Sequence, residues 1–186
     1  MQDGGMVSVA NVYSYFACCQ FRVLMSQIHT HLADGYDIGL AALAEDTLAD
    51  GNIGVAYTYN EALVGYEFVR DTARLVRERG MKNVLVTNGT AELSVLEELL
   101  PYIDAMNIDL KGFSETYVNQ CLGGNLQMNL AFIEAAARRC HVELTTLIVP
   151  GKNDTEEEMR QMSAWIASLN GGAGKEIPYQ DRKSVV

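Results

Sequence analysis

Apolar and polar positions change period several times along the chain, and the changes mark elements. Ile53, Val55 and Tyr57 alternate with small residues in a stretch rich in β-branched and aromatic types. That predicts a short buried strand over Ile53–Tyr57. It ends in Thr58, Tyr59, Asn60 and Glu61, and a helical pattern follows through Arg79. Val64, Phe68, Thr72, Leu75 and Val76 fall on its apolar face, Arg70, Arg74, Arg77, Glu78 and Arg79 on its wet one, and Gly80 suits a C-terminal cap. Asn83–Thr87 reads as the next strand, broken by Asn88-Gly89. Ala91–Leu100 reads as a helix with Leu93, Leu96 and Leu100 inward, stopped by Pro101. Ala105–Leu110 is a strand, and Ser114 can cap a short helix through Leu122 that Gly123-Gly124 ends. Leu126–Arg139 is a helix buried through Leu126, Leu130, Ile133 and Ala137, and Val142–Val149 is a strand. Asp154 with Glu157 forms a capping-box signature before a helix that buries Met159, Met162, Ile166 and Leu169. Glu176–Pro178 opens one more strand. Toward the start, Met6–Tyr15 reads as a strand and Ile38–Leu48 as a helix, while Phe16–Asp37 has no clear period.

Strict alternation of strand and helix with short connections implies right-handed parallel crossovers. The fold class is therefore α/β. An open or partial (β/α) barrel fits the order, as does a doubly wound sheet, and no domain boundary is visible inside it.

Composition changes this picture little. The 186 residues suit one well-cored domain, and 48% hydrophobic with 20% charged residues is ordinary for a globular protein. A net charge of −10 argues against a nucleic-acid partner, because phosphates call for a basic footprint. No apolar run is long enough to span a membrane, and the N-terminus lacks a signal-peptide pattern, so no membrane partner and a cytoplasmic location are expected. The four cysteines, Cys18, Cys19, Cys121 and Cys140, include no C-x-x-C pair.

The chemistry lies at the strand ends. In a parallel sheet with helical crossovers, all C-terminal strand ends share one edge. This chain puts there Thr58, Asn60 and Glu61, then Thr87 and Asn88, then Asp109 and Lys111, then Thr145 and Thr146. Two carboxylates, one ammonium and several neutral hydrogen-bonding groups suit a zwitterionic, hydroxyl-bearing small molecule. Glu61 or Asp109 could take an amino group, Lys111 a carboxylate, and the Thr and Asn side chains ribose hydroxyls. Each feature also has a plainer reading. Asp109 and Lys111 could be a local pair, Glu61 a helix N-terminal residue, and Thr87-Asn88-Gly89 a turn.

In AYTYNE at Ala56–Glu61, LVTNG at Leu85–Gly89, NIDLKGF at Asn107–Phe113, CLGG at Cys121–Gly124 and LIVPGKND at Leu147–Asp154, the chain resembles a known family. It is the radical S-adenosylmethionine superfamily, in the group related to pyruvate formate-lyase activating enzymes. Order and spacing match from about Gly51 to Pro178. The resemblance implies a partial (β/α)6, TIM-like barrel of parallel strands that holds a 4Fe–4S cluster and S-adenosyl-L-methionine at the strand C-termini. It implies reductive cleavage of the cofactor to a deoxyadenosyl radical, and possible action on a protein substrate. Asn60 and Glu61 would occupy the segment that binds the methionine amino group. Thr87, Asp109 and Lys111 would surround the methionine and ribose parts, with Asn88 beside Thr87.

The sequence departs from that family at one decisive place. The family's C-x3-C-x2-C supplies three thiolates and leaves the fourth iron free for the cofactor. The corresponding stretch here, NVYSYFACCQF at Asn11–Phe21, offers Cys19 as the third ligand but Val12 and Phe16 at the first two positions. Cys18 cannot restore the spacing, and Ala62 stands where the family tends to have proline. The cluster is therefore not expected to be held, and the chain as written is expected to be inactive. DRKSVV at Asp181–Val186 matches no element of the implied fold and reads like a translated sequencing adapter. Residues 1–180 are thus read as a fragment of one core domain, incomplete at the last strand, with 181–186 a non-native tail. Two other functions fit the same residues: a cluster-free module that binds S-adenosylmethionine or a nucleotide, and a lyase that forms a Schiff base through Lys111.

Overall fold

A computed structural model describes residues 6–8, 21–25, 53–58, 61–169 and 176–183. The helix expected over Ile38–Leu48 lies outside the described residues. The chain falls into two compact units, Met1–Val86 with Pro101–Asp104, and Thr87–Leu100 with Ala105–Val186.

In the first unit, β1 (Met6–Ser8) pairs antiparallel with β2 (Phe21–Met25). Strand β2 runs parallel to β3 (Gly54–Thr58), and β3 parallel to β4 (Lys82–Thr87). The sequence reading found no element at β2. Phe-Arg-Val-Leu-Met is too short an apolar run for periodicity to identify. All five residues of β3 are buried, whereas Ile53, expected to open the strand, lies just before it and is 42% exposed.

The helix expected from Glu61 begins later. Ala62–Gly65 forms a 3-10 turn, and α1 spans Tyr66–Glu78. The tighter turn resets the phase of the face that follows. Val69, Thr72, Ala73 and Val76 are buried, whereas Val64, expected inward, is 77% exposed on the turn. Gly80, at φ +75°, ends the helix: its N–H donates to Arg77 O, and Met81 N–H to Val76 O. This is a Schellman closure that a left-handed residue makes possible.

The buried polar centre of this unit is Asn83. Its Oδ1 accepts from the Tyr57 hydroxyl at 2.9 Å, and its Nδ2 donates to Ala73 O at 2.9 Å and Tyr102 O at 3.1 Å. Its backbone N–H donates to Asp104, which also holds Lys82. One fully buried amide thus ties β3, β4, α1 and the 101–104 connection, with every polar atom satisfied.

In the second unit, β5 (Ala105–Asp109), β6 (His141–Ile148) and β7 (Tyr179–Lys183) form a parallel run. The helices are α2 (Leu93–Leu99), α3 (Leu126–Ala137) and α4 (Glu156–Leu169), with one π-helical turn at Thr116–Cys121. Helix α2 buries Leu96 and Leu99, while Leu93, expected inward, is 45% exposed in the first turn. Helix α3 buries Leu126, Asn129, Phe132, Ile133 and Ala136. Of the expected face, Leu126 and Ile133 are buried while Leu130 and Ala137 are half-buried, because the core runs through Asn129, a polar type not normally assigned there. In α4 the cap is Thr155, one residue after the expected Asp154. Thr155 Oγ1 accepts from Glu158 N–H at 3.2 Å, while Asp154 accepts from Gly151 N–H. Strand β7 runs through Asp181, Arg182 and Lys183, residues the sequence reading set apart from the fold. They face Thr146, Leu147 and Ile148 in register.

Candidate functional site

The strand ends of the second unit are built from β5 and β6. Asp109 is the last residue of β5, and Lys111 stands two residues beyond it. The Lys111 ammonium meets Asp109 Oδ2 at 2.5 Å, with the side chains 44% and 34% exposed. This pair is open enough to meet a solute and fixed enough to present both charges together. Residues at the same strand ends serve the fold instead. Thr145 and Asn107 bond each other within the sheet at 3.1–3.2 Å. Thr146 turns to the helix side, where Oγ1 donates to Leu110 O at 2.7 Å and lies 3.8 Å from Met162 Sδ. Neither threonine is free to meet a ribose as the sequence suggested. A threonine in a strand has two faces to choose from, and composition does not say which.

The turn after β4 is built from Thr87, Asn88 and Gly89. Thr87 is 3% exposed, and its Oγ1 accepts from Gly89 N–H at 3.0 Å. Asn88 Oδ1 accepts from Thr90 N–H at 2.8 Å, and Asn88 O accepts from Asn129 Nδ2 at 2.7 Å. Gly89 has φ +64°, and a Cβ there would lie 2.7 Å from Asn129 Nδ2. No other residue type fits both the backbone and the space. Thr87 therefore shapes this turn, and Asn129, which the sequence reading missed, holds it.

In the first unit, Glu61 caps the 3-10 turn: its Oε1 accepts from Leu63 N–H at 3.0 Å. Asn60 and Cys19 lie outside the described residues. Among the described residues no three His, Cys, Asp or Glu side chains are grouped so as to hold a metal ion. None of the described helices is long and apolar enough to cross a membrane.

Two further residues emerge only from the structure. Asn153 is fully buried: its Oδ1 accepts from Val149 N–H at 2.7 Å, and its Nδ2 donates to Lys111 O at 2.8 Å and Leu147 O at 2.9 Å. Glu158 is 8% exposed, and its Oε1 accepts from Phe113 N–H at 2.7 Å. The signal in sequence was the polar run Asn153–Glu158, which reads as an exposed helix start. Beyond the loop, the Phe113 ring packs on Trp165 of α4, with ring centroids 5.6 Å apart.

The chain is 42% identical over 107 residues to an uncharacterized protein of Methanocaldococcus jannaschii, covering 57% of this chain and 31% of the relative. It is 26% identical over 132 residues to the pyruvate formate-lyase 1-activating enzyme of Escherichia coli K12, covering 69% of this chain and 54% of that enzyme. The matched stretch thus spans about half or less of either relative. A domain of pyruvate-formate lyase-activating enzyme from Bacteroides vulgatus matches in structure with a TM-score of 0.58 at 21% identity, over 67% of this chain and 75% of that one. That likeness shows the fold: an unclosed α/β arrangement of parallel strands, the partial TIM-like barrel that the motifs implied. The Radical SAM superfamily model matches residues 40–166, more than half of the chain, so this protein belongs to the Radical SAM superfamily and is related to pyruvate formate-lyase activating enzymes.

Proposed function

We propose that this chain is an S-adenosylmethionine-binding core of the activating-enzyme type, and that the Asp109–Lys111 pair is the centre of its cofactor site. The observation that carries the reading is that pair: opposite charges 2.5 Å apart, partly exposed, at the C-terminal end of a parallel strand. A methionine carboxylate finds a partner in Lys111, and an amino or hydroxyl group finds one in Asp109. Thr87 and Asn88 contribute a rigid turn at the end of β4, with the Asn88 amide half-buried.

S-adenosylmethionine, if bound, would supply a sulfonium group open to reduction, with Lys111 and Asp109 holding its carboxylate and amino or hydroxyl groups. The iron–sulfur cluster that performs this reduction in the family does not fit this chain. Its four cysteines fall at 18, 19, 121 and 140, and no three of them make C-x3-C-x2-C. The chain as it stands binds the cofactor without cleaving it. The Escherichia coli relative is named for activating another enzyme, and a protein is accordingly the proposed partner class. A Schiff-base role gains no support, because Lys111 is ion-paired in a half-exposed setting rather than enclosed in an apolar pocket.

Calorimetric titration of S-adenosylmethionine into the purified chain tests the reading. Binding that weakens on the order of tenfold in Lys111→Met supports it. No heat of binding in the unaltered chain removes it. Anaerobic treatment with iron and sulfide tests the second half: a stable four-iron cluster with release of deoxyadenosine overturns the cluster-free assignment.

A further inference from the structure

The loop that carries Lys111 is held through its backbone at four points. Leu110 N–H donates to Thr145 O at 2.9 Å, and Leu110 O accepts from Thr146 Oγ1 at 2.7 Å. Lys111 O accepts from Asn153 Nδ2 at 2.8 Å, and Phe113 N–H donates to Glu158 Oε1 at 2.7 Å. Gly112 between them has no room for a side chain: a Cβ would lie 2.9 Å from Tyr117 Cδ1 and 3.1 Å from Glu158 Oε1.

Two of the four anchors come from the approach to α4 and its first turn, and both are buried. Each is used in a way its local setting does not require. Glu158 sits three residues after the cap Thr155, where a capping-box carboxylate turns back to the cap's own N–H. Here it reaches across to Phe113 instead. Asn153 divides its amide between the ends of β5 and β6, closing Lys111 O and Leu147 O with one nitrogen. Leu110 and Gly112 are buried, so the backbone on either side of Lys111 must find its partners within the protein, and these two side chains supply them. The Lys111 side chain meanwhile stays half-exposed on Asp109.

We infer that Asn153 and Glu158 are positioning residues for Lys111. They fix its backbone so that the ammonium stands at a set place beside Asp109 before a ligand arrives, which lowers the ordering cost of binding. The inference rests on the cofactor reading given above, with the anionic end of S-adenosylmethionine as the group Lys111 meets.

The test is a double-mutant cycle read by calorimetric titration of S-adenosylmethionine into the full chain. The variants are Asn153→Ala, Lys111→Ala and the two combined. Positioning through Lys111 predicts a loss on the order of tenfold for Asn153→Ala alone, and almost no further loss once Lys111 is alanine. A merely structural role gives the same fractional loss in both backgrounds, and that result overturns the inference. So does wild-type affinity in Asn153→Ala. Either outcome leaves the cofactor reading standing, because the unaltered chain still binds and Lys111→Ala still weakens it. No binding by the unaltered chain removes the cofactor reading and this inference with it. If Asn153→Ala fails to fold, Gly112→Ala takes its place in the cycle. Its added methyl presses on Tyr117 and Glu158, and the same dependence on Lys111 is expected.

Discussion

The hydroxyl of Tyr57 donates to Asn83 Oδ1 across 26 residues of sequence, inside a unit where both side chains are buried. Burial pushes the Tyr57 phenol far above its ordinary value of 10.0. The neutral phenol is thus favoured in the folded state. Its contribution to stability is fully present below the unfolded value and is lost as pH rises above it toward the folded one. Tyr57→Phe should flatten the loss of stability above about pH 10 while lowering stability at neutral pH by about 1–2 kcal/mol, since Asn83 loses its donor. Some alkaline loss should remain, because burial raises Tyr179 as well. Thermal melting from pH 7 to 11 on both proteins checks the sign, and a parallel shift at every pH contradicts it.

Gly89→Ala should be among the most damaging single changes in the second unit. It forces a side chain into φ +64° and places its Cβ 2.7 Å from the amide that holds Asn88. A cost of about 2–4 kcal/mol follows from backbone strain and a broken buried hydrogen bond together. Urea unfolding measures it, and a change below about 0.5 kcal/mol, the scale of a neutral surface substitution, shows that the turn relaxes freely.

Lys111→Met should leave the fold almost untouched. The ion pair with Asp109 is partly exposed, and such pairs contribute roughly 0–1 kcal/mol. Unchanged melting with lost affinity for S-adenosylmethionine is the expected combination. Loss of both together assigns Lys111 to the core rather than to a site.

A chain ended at Gln180 loses three of the five register pairs between β6 and β7, namely those of Thr146, Leu147 and Ile148. It also leaves the end of β6 as an unpaired edge. A fall of about 4 °C in Tm, with faster aggregation on heating, is expected. Equal Tm for the two lengths assigns Asp181–Lys183 no part in stability.

Val12→Cys with Phe16→Cys completes a C-x3-C-x2-C ending at Cys19. Anaerobic reconstitution should give the double variant the broad visible absorbance of a four-iron cluster that the unaltered chain does not acquire. Absorbance in both, or in neither, counts against the assignment of these three positions.

Much of the architecture was legible because its signals are local. Gly80 after an amphipathic run, the β-branched and aromatic residues at Val55 and Tyr57 and the Asn-Gly break after β4 each follow from backbone geometry over a few residues. The inward faces of α1 and α3 were harder. A 3-10 turn shifted one, and a buried asparagine interrupted the other. Within the candidate site, Asp109 and Lys111 could be found because charge at a strand end is conspicuous. Asn129, Asn153 and Glu158 could not, since a polar residue at a helix start or on a helix looks solvated until its distant partner is known. Thr146 shows the opposite error: its type fits a ligand site, while its position in β6 points it at Leu110 and Met162.

Trp165 is the only tryptophan in the chain, and its ring lies against Phe113 in the loop that carries Lys111. The indole N–H also leans on Glu134 at 3.4 Å, so the chromophore is held on two sides. The protein therefore carries an intrinsic optical probe beside its candidate site. Emission excited at the indole band comes from one residue, set between that loop and Glu134 of α3, so a rearrangement of either can be followed in real time without a label.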